Sequence, residues 1–540
     1  MENRSEVLRL VLLIALCLFL FFFGLGTRAL WDVDEGMHAA TSKDMVISGD
    51  WVTPTFNGEP FFDKPILFTW LVSISFLLWG FSELGARFPA AVIGLACVLV
   101  TYLLGRRMFS SRVGFLAGLI LATATEYLIV ARTVVHDSAL LLFTTLSLFL
   151  FYSGVVEEKR RGRYFLLLHV ALGLAVLAKG PLGLLLPGLV IGPYLLLTKR
   201  LALIREMRLG WGVLIVLVIA APWYILMGLR HAGYLSYFLI EKNFGSYASA
   251  GSQHPAPLHF YVPVLLGGLL PWSGLLPATL YRANSWVRGE RRDAVLFLLL
   301  WAGVMFLFFS VAVSKLAPYI LPLFPAAALL VALLWEDLLG PATSKVRKMF
   351  IWSLVPAFVL MVAVAIYVGF QPPLSLEVKY GMSMVQVHTL SLSSVLALAL
   401  ALGALVVRRY RFAMATIVGL VAAVLVVFVV NIAPAMDPFR STKDLALKLD
   451  RLLAPGEEIA FFKRLKDSAL FYTDRYGRVV RTAEDLEGHF STGGRAYCVV
   501  DKRHRDRLQG LEEEFPIALE QANKMVLTNS KTAKAAKTGG

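Results

Sequence analysis

The sequence predicts an all-α polytopic membrane protein of about thirteen transmembrane helices, followed by a small C-terminal α/β domain. Three observations carry this. The 540 residues are 58% hydrophobic and only 16% charged, and mean hydropathy is +0.69, whereas soluble domains sit nearer half apolar and a quarter charged. Apolar runs of about 20 residues recur up to residue 433, the length that crosses a bilayer as helix. From Pro434 the charge density becomes that of a soluble domain.

The apolar runs begin near residues 8, 86, 112, 138, 164, 181, 210, 259, 294, 317, 349, 389 and 412. The first, Leu8 to Gly26, is longer than a signal-peptide core and no small-residue cleavage site closes it, so it is expected to be a retained span. The run from Pro65 to Phe81 is shorter and interrupted by Ser73 and Ser75. Topology arbitrates its status. Basic loops lie at 105–112, 157–163, 199–208, 282–293, 344–348 and 408–411. Thirteen spans and a cytoplasmic N-terminus put all six inside, as positive-inside topology requires; a crossing by 65–81 would put them outside. That stretch is therefore expected to lie in the interface or to re-enter. The odd count puts the C-terminus outside. A net charge of +15 would suggest nucleic acid, but the charges serve topology, so the expected partner is the bilayer and not nucleic acid. Cys17, Cys97 and Cys498 are too scattered for a disulfide framework or a Cys-ligated metal.

The domains follow as a membrane domain 1–433 with a juxtamembrane loop 27–84, an α/β domain 434–527 and a disordered tail 528–540. In the α/β domain "STKDLALKLDRLL" reads as a helix with Ser441 as its N-cap. The segments "EEIAFF", "GRVVRT" and "RAYCVV" read as strands.

Ionisable groups at membrane depth are costly and point to function. Five external places carry them. In "WDVDEGMHAA", Asp34 and Glu35 are either loop carboxylates opening a helix or the start of an active site. In "FFDKPIL", Lys64 after Asp63 either snorkels or holds a phosphate as a point charge. In "ARTVVHDSALL", Asp137 after His136 either caps the next helix or faces Asp34. In "LAKGPLGLLLP", Lys179 has no acid near it in sequence, and an anionic ligand is the alternative to snorkelling. In "SVAVSKLAPYILPLFP", Lys315 and Tyr319 stand four apart at a span end. The connection 229–258 adds Glu241, Lys242 and His254; a single His is more often structural than a ligand. Acids suit general-base or metal work, and lysines suit a phosphate leaving group. No P-loop, GxGxxG, HExxH or DxD pattern is apparent. An external site also lacks cytosolic nucleotide. The donor these residues suit is a sugar on a membrane-borne polyprenyl phosphate.

The stretch "WDVDEGMHAATSKDMVISGDWVTPTFNGEPFFDKPIL" closely resembles the first external loop of bacterial aminoarabinose (4-amino-4-deoxy-L-arabinose) lipid A transferases, whose wider relatives are dolichyl-phosphate-mannose-protein mannosyltransferase-like enzymes. "LAKGPLGLLLP", "PWYILMGLR", "SQHPAPLHFYVPVLLGGLLPWSGLLP" and "SKLAPYILPLFP" extend the resemblance over roughly residues 10–340. It implies a C-type glycosyltransferase fold with thirteen spans, an undecaprenyl-phosphate-linked sugar donor and no required cofactor. It implies catalytic roles for Asp34 and Asp137, and substrate-binding roles for Glu35, Lys64, Lys315 and Tyr319, which Lys179 joins on the residue argument above. It also implies that Asp63 and His254 can hold a divalent metal such as zinc, although relatives usually carry Glu at the position of Asp63. Relatives commonly carry Arg and Tyr where this chain has Met37 and His38.

The expected activity is transfer of a sugar from undecaprenyl phosphate to lipid A or a related periplasmic glycolipid, in the bacterial inner membrane with the site and C-terminus facing the periplasm. A protein O-glycosyltransferase with a similar donor is the rival enzyme. A lipid-linked sugar transporter would need ionisable residues along both halves of a pathway, and the inner halves of these spans are almost uncharged. A sensor would need a ligand site in 434–527, and nothing there singles one out.

Overall fold

The computed structural model describes residues 2–245, 254–340, 344–370, 384–491, 494–508 and 514–530. Parts of the expected tail, of the 371–388 loop and of the 229–258 connection lie outside these residues. The chain is a multi-pass bundle of apolar helices bearing a five-stranded sheet at one end. A helix stands at each of the thirteen expected spans. Among the described residues eight are long and apolar enough to cross a membrane, or nine if Leu258–Gly268 and Ser273–Trp286, bent by 114°, count as one. The expected thirteen therefore exceeds what length and composition establish.

The first nine helices place the loops that matter. They are α1 Glu2–Phe22, α2 Asp34–Ser48, α3 Leu67–Trp79, α4 Glu83–Met108, α5 Ser111–Thr123, α6 Thr125–Val130, α7 Asp137–Val156, α8 Arg161–Lys179 and α9 Leu182–Leu197. In α4 the Ser82 hydroxyl caps the N-terminus by accepting from the Gly85 amide, with Glu83 in the first turn and Arg106 and Arg107 in the last. Both signs suit the helix dipole. The 13 residues of α3 extend about 20 Å, short of a hydrocarbon core of about 30 Å. α5 is equally short, but α6 continues it after a break at Ala124. The Thr125 amide and hydroxyl both donate to the Leu270 carbonyl, tying that break to the bent pair.

Four of the six basic loops, 105–112, 157–163, 199–208 and 282–293, are tied by ion pairs at one end. Arg106 pairs with Glu6 at the chain start, Arg107 with Glu157, Arg161 with Glu206, Arg200 with Asp293 and Arg282 with Asp337, all at 2.6–2.8 Å. The loop 27–84 lies at the other end, against the C-terminal sheet.

That sheet has the order β4-β3-β5-β7-β6, with β3 Ile459–Phe462, β4 Gly477–Val480, β5 Tyr497–Asp501, β6 Ile517–Gln521 and β7 Lys524–Thr528. The small hairpin Thr55–Phe56 (β1) and Glu59–Pro60 (β2) sits in the first loop. β3 runs parallel to β4 and β5, while β7 is antiparallel to β5 and β6. Ile459 and Phe461 face one apolar cluster, Ala460 and Phe462 the other, which is why "IAFF" shows no alternation. The three expected strands form, and the β6–β7 hairpin adds two that were not expected.

The expected Ser441 cap shifts by one residue. Helix Lys443–Asp450 has Thr442 at its N-cap without a side-chain cap, because the Thr442 hydroxyl donates to Asp32 instead, at 3.1 Å. This diversion belongs to an extensive dock. The Asp32 carboxylate also accepts from the Ser468 amide (2.7 Å), and Asp437 accepts from the Ala29 amide (2.9 Å) and the Trp31 indole (2.8 Å). Glu83 accepts from Lys443 (2.5 Å) and Tyr472 (3.0 Å), and Lys43 donates to the Phe471 carbonyl (2.7 Å) while pairing with Asp474. Gly36 has no room for a Cβ, which would collide with the Ser468 backbone nitrogen. Gly36→Ala should therefore cost about 1–3 kcal/mol, read as a lower Tm of the detergent-solubilised protein; an unchanged Tm would mean that α2 does not press on helix Asp467–Thr473.

Candidate functional site

α2 begins where two arginines hold its second residue. Both Glu35 oxygens accept from Arg87 (2.8 and 2.9 Å) and from Arg28 (2.8 and 3.0 Å), and one also accepts from the Trp31 amide (3.2 Å). Arg87 is fully buried and donates further to the carbonyls of Leu25, Arg28 and Ala29. Burial alone would raise the Glu35 carboxyl, but the two guanidiniums overturn that and hold it at about 2. Glu35 is thus engaged inside the protein by both arginines, which fixes the start of α2. Asp34, one residue earlier, remains exposed at the helix N-terminus.

Across from Asp34 stand the outer ends of α7 and α8. Lys179 is buried and donates to the buried Asp137 at 2.7 Å, so its missing acid comes from 42 residues away. The same ammonium lies 4.9 Å from the centre of the Tyr319 ring. Asp34 is within electrostatic reach of both Lys179 and Tyr319. Lys64 stands beside Lys179 and Asp137; burial, then the Lys179 charge, lower its ammonium to about 8. Its neighbour Asp63 accepts from Lys242 (2.8 Å) and Tyr237 (3.2 Å); burial opposes this, yet those donors keep the carboxyl below its usual range. Among the described residues Lys64 has no ion pair of its own.

Two imidazoles complete the wall. The buried His38 and His136 rings meet edge to face at 4.2 Å. Burial, then Lys64 and Lys179, depress His38 to about 3; burial and the same neighbours hold His136 well below its ordinary value. Both are neutral. His136 Nε2 lies 3.5 Å from the Thr69 hydroxyl, and its Nδ1 has no hydrogen-bond partner among the described residues.

Two expected members stand apart. The Lys315 ammonium donates to the carbonyls of Ala256 (2.8 Å) and Ala312, and borders an open groove of about 470 Å³ between residues 255–258 and 310–315. His254 is exposed, and its carbonyl accepts from the Lys315 amide. No group of three or more potential metal ligands gathers among the described residues, and Asp63 is committed to Lys242 and Tyr237. The residues described do not fit the zinc site the resemblance implies.

Sequence reasoning missed the Arg28–Glu35–Arg87 triad, the Asp32 contacts and the His38–His136 pair. Only the apolar setting of Arg87 carried a signal, a cation near the start of an otherwise apolar span.

A helical bundle with acids, lysines and a tyrosine gathered at one end beneath a docked α/β domain is the C-type glycosyltransferase architecture. The family model described as dolichyl-phosphate-mannose-protein mannosyltransferase matches residues 63–226. The chain is 33% identical over 338 residues to an undecaprenyl phosphate-alpha-4-amino-4-deoxy-L-arabinose arabinosyl transferase 2 of Proteus mirabilis, covering 62% of this chain and 60% of that one. It is 36% identical over 340 residues to the corresponding transferase of Aeromonas hydrophila, covering 62% and 61%. The chain thus spans about 60% of the length of these curated relatives. The crystal structure of ArnT from Cupriavidus metallidurans bound to undecaprenyl phosphate superposes with a TM-score of 0.83 at 25% identity, over 97% of this chain and 98% of that one. The fold of the chain is that of this transferase structure, shared over nearly its whole length.

Two outcomes follow from the site. Because the folded pKa of Glu35 is depressed, its stabilisation is present above about pH 4.3, the ordinary Glu value, and is lost as pH falls toward about 2. Arg87→Ala should cost about 3–5 kcal/mol and move acid unfolding to higher pH, followed by tryptophan fluorescence. Lys64, about half neutral near pH 8, should react with an amine reagent at that pH well before the ion-paired Lys179, as mapped by peptide mass spectrometry. Equal labelling would remove the pKa assignment.

Proposed function

We propose that this protein is a glycosyltransferase of the bacterial inner membrane that moves an aminoarabinose-like sugar from undecaprenyl phosphate to lipid A or a related glycolipid, with its site facing the periplasm. The observation that carries this is the gathering of Asp137, Lys179 and Tyr319 with Asp34 and Lys64, at the end opposite the basic loops. The likeness to a structure bound to undecaprenyl phosphate over 97% of the chain supports the donor class.

In this reading the donor sugar lies between Asp34 and Asp137 and its phosphate lies toward Lys64. Lys64 is the ammonium of the cluster without an ion pair among the described residues, so an arriving phosphate meets a charge not already neutralised. Desolvation favours its neutral form, and the bound phosphodiester anion of the donor restores the ammonium. Lys179 holds Asp137 in place and adds positive charge beside the departing phosphate, an effect strengthened where water is excluded. When the acceptor is itself an anionic phosphate of lipid A, no base is needed. Asp34 and Asp137 then stabilise positive charge developing at the anomeric carbon. When the acceptor is a hydroxyl, Asp34, the exposed carboxylate, takes its proton. Met37 leaves the site without the positive charge that Arg supplies in relatives, which bears on the choice of sugar.

The test is mass spectrometry of lipid A and of periplasmic glycoproteins from a deletion strain and its complemented parent. A pentosamine mass on lipid A, lost on deletion and restored by the gene, is expected. Change confined to glycoproteins would convert the reading to protein O-glycosylation, and change in neither would end it. With purified protein, Asp34→Asn or Asp137→Asn should lower kcat roughly 10²–10³-fold, while Lys64→Ala should act mainly through the donor KM.

A further inference from the structure

We infer that the C-terminal α/β domain is a working part of the reaction centre: through Asp32 and Ser468 it positions the first turn of α2, and with it the Asp34 carboxylate. The inference rests on the transfer reading above for its kinetic arm and on geometry for the rest.

α2 has no N-cap side chain to fix its start. Its N-cap residue is Val33, which offers no side-chain acceptor. Cap geometry therefore has to come from the neighbours of Asp34, and each is gripped by a different body. Glu35 is held from the bundle by Arg28 and Arg87. Asp32 is held from the α/β domain: Oδ1 accepts from the Ser468 amide at 2.7 Å and Oδ2 from the Thr442 hydroxyl at 3.1 Å, while the Asp32 amide donates to the Arg440 carbonyl at 2.9 Å. The partners of Asp32 are 410 and 436 residues away in sequence, so this turn forms only when the domain is docked. Gly36 closes the grip, its Cα pressed on the backbone at Asp467 and Ser468. In the run 32–36 only Asp34 is exposed. The domain thus sets the position of the Asp34 side chain relative to Asp137, and its Asp467 lies within electrostatic reach of Asp34.

The experiment uses full-length protein in nanodiscs. Asp32→Ala removes both acceptors. Asp32→Asn keeps one acceptor for the Ser468 amide and can donate to the Thr442 hydroxyl. Asn57→Ala is the control: it breaks the exchange of hydrogen bonds between Asn57 and Gly477 (2.9 and 2.6 Å) elsewhere on the same domain contact. Asp32→Ala should lower kcat about 10–100-fold, the scale of a misplacement near 1 Å, with donor KM changed less than about twofold. Asp32→Asn should recover most of that loss. Asn57→Ala should lower Tm comparably and leave kcat within about twofold of wild type. Hydrogen exchange supplies a readout free of activity: residues 33–40 should lose protection in Asp32→Ala and keep it in Asn57→Ala. An unchanged kcat in Asp32→Ala, an equal loss in Asn57→Ala, or unchanged exchange at 33–40 would each overturn the inference. Wild-type protein inactive on undecaprenyl-phosphate sugars, with the exchange pattern as expected, would remove the transfer reading and leave the positioning role supported.

Discussion

A carboxylate held between two guanidiniums in a dry interior is the constraint on which this architecture depends. Glu35 taken alone would neutralise rather than stay charged out of water. Arg28 and Arg87 keep it ionised, and Arg87 uses its remaining donors on three carbonyls of the chain leaving α1. One side chain thereby joins α4, the exit of α1 and the start of α2. The planar fork of arginine is needed, because a lysine ammonium cannot serve two oxygens and several carbonyls in a fixed plane. Everything at the outer end is measured from this point.

The other charges at that end obey the same physics. Lys179 finds Asp137, Lys242 finds Asp63 and Arg230 finds Asp50, each across at least 42 residues of sequence. Pairing reduces the cost of burying each charge. Against that background Lys64 stands out, since it has no ion pair among the described residues and the largest charge acting on it is another lysine. A cluster in which one ammonium has no direct ion pair among the described residues is poised for an anion, whereas a fully paired cluster is only structural.

The α/β domain extends this logic beyond the membrane. Its contacts with the first loop are polar and numerous, and they fall on residues adjoining the exposed Asp34. A soluble domain clamped beside a membrane-edge carboxylate orients that group in a way the short α2 helix cannot by itself.

The sequence by itself determined the helical bundle, the sidedness of its basic loops and the soluble C-terminal unit. These follow from hydropathy and charge, which act over windows of some twenty residues and need no partner. It also marked Asp34, Lys64, Asp137, Lys179 and Tyr319, because an ionisable group at a span end is costly wherever it points. What it left open was which of them meet. Glu35 meets two arginines, Asp32 looked like loop and is clamped to the domain, and Lys315 and His254 shared the face yet stand apart. Tertiary structure decided these, because a hydrogen bond requires contact within about 3 Å, and residues 42 to 436 positions apart reach that distance only when the whole bundle and its docked domain have folded.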